Sequence, residues 1–435
     1  MKKFISLLLV LTAVAGISAR EVGGDISLLT KYEQHGARYL DQNGTRITTD
    51  MLTFFKQQGW TSMRVRLFVD PSKASDEDKG QGVCQDLDYV INLGARIKAA
   101  GFTFMLDFHY SDSWADPAKQ YTPDAWKDLN DTELTQKIYD YTKDCLAQLV
   151  AAGATPDFIQ TGNEISYGML WGVKGSSSLK KCYTTNNANW SRFTTLLASA
   201  GRACREVCPN AKIIIHTERV PNLTVLDAFY TRMLEANLDY DIIGLSYYPY
   251  YHNKISQLES AVSRLESRFP SKEIMVVETG YFHIYQPSDV TYDLSATYPI
   301  TPAGQLAFTN ALIDMLASHP KVTGLYWWFP EANEYGLNWA TNRVTDNWYN
   351  AGLWDNGTGK MMPAVSALAD FIPDVVGDAN GNGIVDVSDL NIIVNIILGL
   401  EDAANYPNAN VNGTGAVDVA DLNMIINIIL GAGDQ

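Results

Sequence analysis

Between Gly23 and Pro373 the chain alternates short apolar runs with longer stretches of helical period. The runs are Gly24 to Ser27, Ser62 to Phe68, Thr103 to Phe108, Phe158 to Gly162, Ile213 to Thr217, Ile242 to Tyr247, Ile274 to Glu278 and Gly324 to Trp328. Near-continuous apolar runs of this length mark strands buried on both faces, as in parallel sheets covered by helices. Leu87 to Ala100, Leu134 to Ala151, Trp190 to Val207, Ile255 to Phe269 and Pro302 to Ala317 read as helices between them. Gly101, Gly153, Pro209 and Pro270 stand where such helices stop. Eight strands with helical crossovers over about 350 residues predict a (β/α)8 TIM barrel. An open doubly wound sheet is the alternative, but the phosphate-binding glycine turn that usually follows its first strand is missing from the sequence.

In a barrel of this kind the C-terminal strand ends meet the ligand, so polar residues there are candidate chemistry. They are Arg64 and Arg66 on the second strand, His109 on the third, Asn163 and Glu164 on the fourth and His216 on the fifth. Tyr247 and Tyr248 end the sixth, Glu278 the seventh, Trp327 and Trp328 the eighth. Glu164 and Glu278 each close an apolar run, and two carboxylates brought together from different strands are the minimum apparatus for retaining glycoside hydrolysis. The plainer alternative is two glutamates ending strands in salt bridges. Arg64 and Arg66 lie two apart and so point to one face. Buried guanidinium groups need carboxylate partners, which the glutamates are expected to supply. Trp114, Trp171, Tyr250, Tyr251, Tyr281 and Phe282 follow the strand ends and suit either the walls of a sugar-binding cleft or packing at the barrel rim.

Composition changes this picture at both ends. Lys2 and Lys3, the apolar run Phe4 to Val14 and the small residues Ala13, Ala15 and Ala19 predict a signal peptide over residues 1–19, hence a secreted, periplasmic or cell-surface protein. No apolar run is long enough for a membrane span. The net charge of -16 argues against nucleic acid as a partner. That charge is uneven: from Gly377 onward there are eight Asp or Glu and no Lys or Arg, which separates a barrel over residues 20–375 from a small domain over 377–432. Five cysteines leave at least one unpaired, and Cys182 could reach Cys204 or Cys208.

The small domain is a duplication. Asp378 to Gly399 recurs as Asn410 to Gly431 at an offset of 32 residues. The first copy places Asp378, Asn380, Asn382, the Ile384 carbonyl, Asp386 and Asp389 at the spacing of an EF-hand loop, with Gly383 at the turn. The second offers Asn410, Asn412, Thr414, Asp418 and Asp421, one charge fewer. Hard oxygen donors in this order suit Ca²⁺, and a domain this small needs such a staple to fold. No cofactor is expected for catalysis.

At these residues the barrel resembles clan A glycoside hydrolases, specifically the family 53 endo-β-1,4-galactanases. The resemblance lies in Leu106 to Pro117 (LDFHYSDSWADP), Gly162-Asn163-Glu164-Ile165 with Gly168-Met169-Leu170-Trp171, Asp241 to Tyr251 (DIIGLSYYPYY) and Val276-Val277-Glu278-Thr279. It implies Glu164 as acid/base, Glu278 as nucleophile, Asn163 on the sugar 2-hydroxyl, Tyr248 and Arg64 beside the nucleophile, and Trp328 as the platform under the cleaved residue. Arg66, His109, Asp112, Trp114, Trp171 and His216 complete the candidate substrate-binding set. The stretch Tyr281 to Tyr298 lacks the calcium-loop cluster of some bacterial members, so no barrel calcium site is carried over. The C-terminal duplicate resembles type I dockerin modules, which implies a cohesin-like partner. The reading is a secreted retaining endo-β-1,4-galactanase acting on the galactan of type I arabinogalactan. The alternatives are a clan relative acting on mannan or xylan and a non-catalytic carbohydrate-binding barrel.

Overall fold

The structure is a computed structural model, describing residues 19–185, 187–345, 349–373 and 375–430. The expected signal peptide lies outside the described residues except for Ala19, as do the last two residues of the expected tail domain. The chain forms two compact units, one of them Arg20–Pro373, the other holding the tail.

The larger unit is a closed barrel of eight parallel strands in sequence order. They are β1 (Glu21–Asp25), β2 (Ser62–Leu67), β3 (Thr103–Phe108), β4 (Phe158–Thr161), β5 (Lys212–Thr217), β6 (Ile242–Tyr247), β7 (Glu273–Thr279) and β8 (Val322–Trp328). β8 pairs back onto β1 from Glu21↔Gly324 to Asp25↔Trp328, which closes the ring. β1 begins at Glu21, before the run predicted from Gly24, because Gly23 and a buried glutamate are strand residues. A Cβ on Gly23 would lie 1.9 Å from the Ser62 carbonyl oxygen, so only glycine lets β1 and β2 approach. The helix Leu223–Glu235 between β5 and β6 was not among the predicted ones.

Alternation along the strands builds two cores. Met63, Val65, Leu67, Phe104, Leu106, Ile213, Ile215, Ile243, Leu245 and Val276 face outward and join the helices in one apolar layer. Met105, Phe158, Ile214, Ile242, Met275, Val277 and Tyr326 fill the barrel interior. Above that plug, the next inward positions are polar and buried: Arg64, Asp107, Gln160, His216 and Ser246. A polar layer roofing an apolar one is what positions chemistry at the C-terminal face.

β7 departs from strict alternation. Met275 and Val277 both face the interior, so an unbroken pleat would aim Glu278 outward. Instead the register shifts: Leu245 pairs with Val276, but Ser246 pairs with Glu278. This bulge inserts one residue and turns Glu278 inward.

The tail carries two helices, Val387–Ile397 and Val419–Ile429, each entered through an aspartate that caps it in a reciprocal box with the aspartate three residues on. Ala379, Ile393, Ala409, Val411 and Ile425 form its small core.

Glu21 opens β1 with its carboxyl buried and accepting a hydrogen bond from the Thr61 hydroxyl at 2.6 Å. Burial pushes its pKa up to about 7. The folded barrel therefore keeps a proton that the unfolded chain releases near pH 4.5, and the stability this confers is lost as pH rises through about 7. Glu21→Gln should raise barrel stability at about pH 8 by roughly 1–3 kcal/mol and leave it little changed near pH 4. Thermal melts of both proteins across that range check this.

Candidate active site

A cleft of about 410 Å³ opens at the C-terminal ends of the strands, lined by Arg64, Arg66, His109, Trp114, Asn163, Glu164, Tyr248, Glu278 and Trp328. Nine residues singled out from sequence thus converge from β2, β3, β4, β6, β7, β8 and the loops that follow them.

Glu278 sits in a cradle of fixed donors. Its Oε1 is 2.9 Å from Arg64 Nη2, and its Oε2 accepts from the Tyr248 hydroxyl at 2.9 Å. Arg64, 1 % exposed, is itself held by Asp25 at 2.8 Å and Asp107 at 2.7 Å. Arg66 pairs with Asp25 at 3.0 Å, and its guanidinium lies 4.6 Å above the Trp114 ring. Sequence had offered the glutamates as partners for both arginines. Two aspartates do most of this work instead, and only Glu278 joins them. Neither aspartate stood out in sequence, because each lies inside an apolar strand rather than after it.

Glu164 is presented by a tight turn. Gly162 has φ +115°, and a Cβ there would press within 2.7 Å of Ile165 Cγ2. Glu164 itself has φ +48°, a left-handed conformation that a non-glycine residue keeps only when neighbours hold it there. Its N–H points to His216 Nδ1 at 3.3 Å and the next N–H donates to the His216 carbonyl at 3.0 Å. Burial and the Arg64 charge drive the His216 pKa well down, so its imidazole is neutral. Asn163 accepts from Arg64 at 3.0 Å and donates to the Ala115 carbonyl at 2.8 Å. His109 Nδ1 accepts from the Ala115 N–H at 3.0 Å, which leaves its Nε2–H for Asp107 at 3.1 Å.

The two glutamates differ electrically. Burial pushes both carboxyls up, and for Glu164 the charges of Glu278 and Glu218 push further, so it stands well above the ordinary range. For Glu278, Arg64 and the Tyr248 hydroxyl pull the other way. Glu164 is accordingly the carboxyl that holds its proton more strongly, and Glu278 the one whose charge its neighbours favour. One carboxyl ready to give a proton and one ready to attack is the division that double displacement at an anomeric carbon requires.

Three expected substrate contacts lie elsewhere. Trp171 is 1 % exposed; its Nε1 donates to the Tyr167 carbonyl and Lys181 lies over its ring, so it packs the loop that carries Glu164. Asp112 accepts the N–H groups of Asp70 and Asp124 and pins two loops outside the cleft. His216 is fully buried beneath the cleft, with Ser246 at 2.8 Å on its far nitrogen. Tyr251, one of the aromatics expected as cleft wall or rim packing, lines the cleft, and so do Glu218, Gln81, Lys119 and His252, which were not anticipated as contacts. They come from loops whose course no periodicity predicts. All five cysteines are free thiols, so none of the pairings considered from sequence is made.

In the tail, both predicted loops take the same course. Asp378 accepts the N–H groups of Asn382 at 3.0 Å and Gly383 at 2.5 Å. Asp389 accepts those of Asn380 and Asp386, each at 2.9 Å. Asp421 repeats the second pattern with Asn412 and Asp418, and Asn410 accepts from Thr414 at 3.1 Å. Asp386 and Asp418 cap the helices that follow. The Asn382 amide oxygen accepts from the Ile384 N–H at 2.9 Å. Among the described residues no three His, Cys, Asp or Glu side chains gather as a metal site; each loop mixes carboxylates with amides.

Residues 21–368 match glycosyl hydrolase family 53. The chain is 34 % identical over 356 residues to an uncharacterised protein of Niallia circulans, covering 80 % of this chain and 93 % of that one. It is 32 % identical to a probable arabinogalactan endo-β-1,4-galactanase A of Aspergillus fumigatus, covering 78 % and 93 %. Among solved structures, the family 53 catalytic domain of Ignisphaera aggregans superposes with a TM-score of 0.68 at 30 % identity, covering 81 % of this chain and 96 % of that one. This chain belongs to glycosyl hydrolase family 53.

Proposed function

We propose that the barrel is a retaining endo-β-1,4-galactanase that cleaves the galactan of type I arabinogalactan. The observation that carries this reading is the cleft in which Arg64 and Tyr248 bind Glu278 and favour its charge, while Glu164 in the same cleft is pushed well above the ordinary carboxyl range. Glu278 attacks the anomeric carbon as Glu164 hands its proton to the glycosidic oxygen, and Glu164 then takes a proton from the water that releases the sugar. Trp328 supplies an apolar wall for a pyranose face, and Asn163, anchored on Arg64, is set to meet the 2-hydroxyl. Galactan as the substrate is supported by membership of family 53 and by the galactanase relatives. The strained Glu164 counts against a barrel kept only for binding, which needs no such acid.

On this reading the chain is exported, its first 19 residues being the leader. The tail is a calcium-binding, dockerin-like duplicate that docks on a cohesin-like protein. What supports calcium is the burial of Asp378 and Asp389, 1 % and 0 % exposed, in a tail without a single Lys or Arg. Burial raises both carboxyls. Asp378, Asn380, Asn382, the Ile384 carbonyl and Asp389 would hold the ion, and its charge would neutralise the buried pair.

A panel of purified polysaccharides tested for new reducing ends should give release from β-1,4-galactan and far less from mannan or xylan. Proton NMR of the first product should give the β-anomer; an α-anomer at first release would exclude double displacement.

Glu278→Ala should lose at least about 10⁴-fold in kcat with galactan binding largely kept. Glu164→Ala should slow poor leaving groups by about 10²–10⁴-fold and activated aryl glycosides far less. Equal losses on both substrate classes would remove Glu164 from the acid role.

Chelation should melt the tail while the barrel keeps its fold and its activity. Calorimetry should resolve one calcium-dependent and one calcium-independent transition, and the loop with Asp378 should fill before the loop with Asn410. One transition moving as a whole would refute a separate tail domain.

A further inference from the structure

Besides Glu164 and Glu278 the cleft holds the carboxylates of Asp116 and Glu218, and double displacement has no step for Glu218. It directly follows β5, lines the cleft and is 8 % exposed. Its Oε1 accepts from the Ser166 hydroxyl at 2.7 Å and pairs with Arg219 Nε at 2.7 Å. Its Oε2 is buried without a hydrogen-bond partner. Arg219 lies 4.2 Å above the Tyr167 ring, and its Nε also meets the Ser166 hydroxyl at 3.1 Å. Ser166 and Tyr167 come two and three residues after Glu164. Both contacts therefore grip the loop that carries Glu164.

That loop has to be gripped. Glu164 is in the left-handed region, and such a residue stays there only while its surroundings over-determine it. The end of β5 supplies three ties: His216 Nδ1 to the Glu164 N–H, the His216 carbonyl to the Ile165 N–H, and Glu218 to the Ser166 hydroxyl. The first two use neutral groups, and a neutral acceptor would also hold a serine. A buried carboxylate with one oxygen unsatisfied is a costly substitute for an amide. Its charge therefore calls for a purpose, and it lines the same cleft as Glu164, whose ionisation it opposes.

We propose that Glu218 is a positioning residue for Glu164, gripping the acid/base loop through Ser166 and setting a fixed negative charge beside the Glu164 carboxyl. This rests on the assignment of Glu164 as acid/base. The groups facing that carboxyl are Glu278 from β7, Ser246 from β6, Asp116 from the loop after β3, Tyr248 from the loop after β6, and Glu218. Glu278 and Glu218 are the two largest charges resisting its ionisation. They differ in permanence. When Glu278 bonds to the anomeric carbon its charge disappears, whereas Glu218 takes no part in that bond and keeps Arg219 at 2.7 Å, which favours its charge against the burial that raises its carboxyl. Glu218 thus keeps Glu164 protonated before cleavage, and keeps it a strong enough base to take the proton of water afterwards.

The test is the pH dependence of kcat/KM for the wild-type chain and the variants Glu218→Gln, Glu218→Ala, Ser166→Ala and Glu164→Gln. Each is measured on galactan and on an activated aryl galactoside. Glu218→Gln keeps an oxygen for Ser166 and removes the charge. Its alkaline limb on galactan should move to lower pH by about 0.5–1 unit, three- to tenfold in activity above the limb. The aryl substrate, which needs little acid help, should lose less. Glu218→Ala must move the limb the same way, so either neutral variant that melts cooperatively decides the matter. Ser166→Ala loosens the grip and keeps the charge, so kcat should fall with the limb in place. A limb unmoved in both neutral variants, or equal losses on both substrates, overturns the proposal. If the wild type leaves galactan intact, or Glu164→Gln shows no leaving-group dependence, it is the parent reading that fails.

Discussion

Everything in the cleft depends on keeping one guanidinium charged inside a protein. Arg64 is cut off from water and held by Asp25 on β1, Asp107 on β3 and Glu278 on β7. Desolvating an arginine is tolerable only when carboxylates surround it, and removing one of them leaves its buried charge less compensated. The same constraint orders the neighbours. Asp107 must also hold His109, Asp25 must also hold Arg66, and Asn163 is fixed by accepting from Arg64 before it can turn to a ligand. The roles of the two glutamates follow. Glu278 lies within reach of the cation and is pulled towards ionisation; Glu164 has no cation against it among the described residues, and burial with the carboxylates Glu278 and Glu218 pushes it well up.

The family assignment reaches the barrel and stops there, because residues 21–368 carry the match and the tail contributes nothing to it. The tail's own physics is simpler. Two near-copies adopt one loop course although the first residue is Asp378 in one and Asn410 in the other. The course is therefore set by the shared glycine turn and by the aspartate at the twelfth position, while the first position is left free to set charge.

The barrel was legible in sequence because its strands are buried on both faces and its helices end in glycine or proline, signals that survive without an alignment. β1 was displaced because Gly23 is there for close approach to β2 and the strand opens on a charged residue, Glu21, which reads as lying before a strand. Residues at or just after strand ends, such as Glu164, Tyr248 and Trp328, were found because they stand where an apolar run stops. Asp25 and Asp107 were passed over because a lone aspartate inside such a run is indistinguishable from one at its surface until the arginine opposite is known. Glu278 was found for a reason that alternation alone would have contradicted, since the pleat would aim it outward and only the bulge restores it. Trp171 read as a cleft aromatic from its place after the fourth strand, yet its indole N–H found a carbonyl in its own loop first.

The cradle around Glu278 also bears on how the molecule comes into being. Asp25 is in the first strand, Glu278 in the seventh, and the strand that joins them across the ring, β8, is the last to be synthesised. Contacts of such sequence separation close late, after the loop entropy between them has been overcome. Until β8 docks on β1, the Arg64 pocket is open on one side and its charges are solvated rather than paired. Hydrolytic competence is then acquired in the single event that seals the barrel. A chain stalled one strand short would have nearly all of its helices and no chemistry, so the appearance of activity during refolding times the closure of the ring.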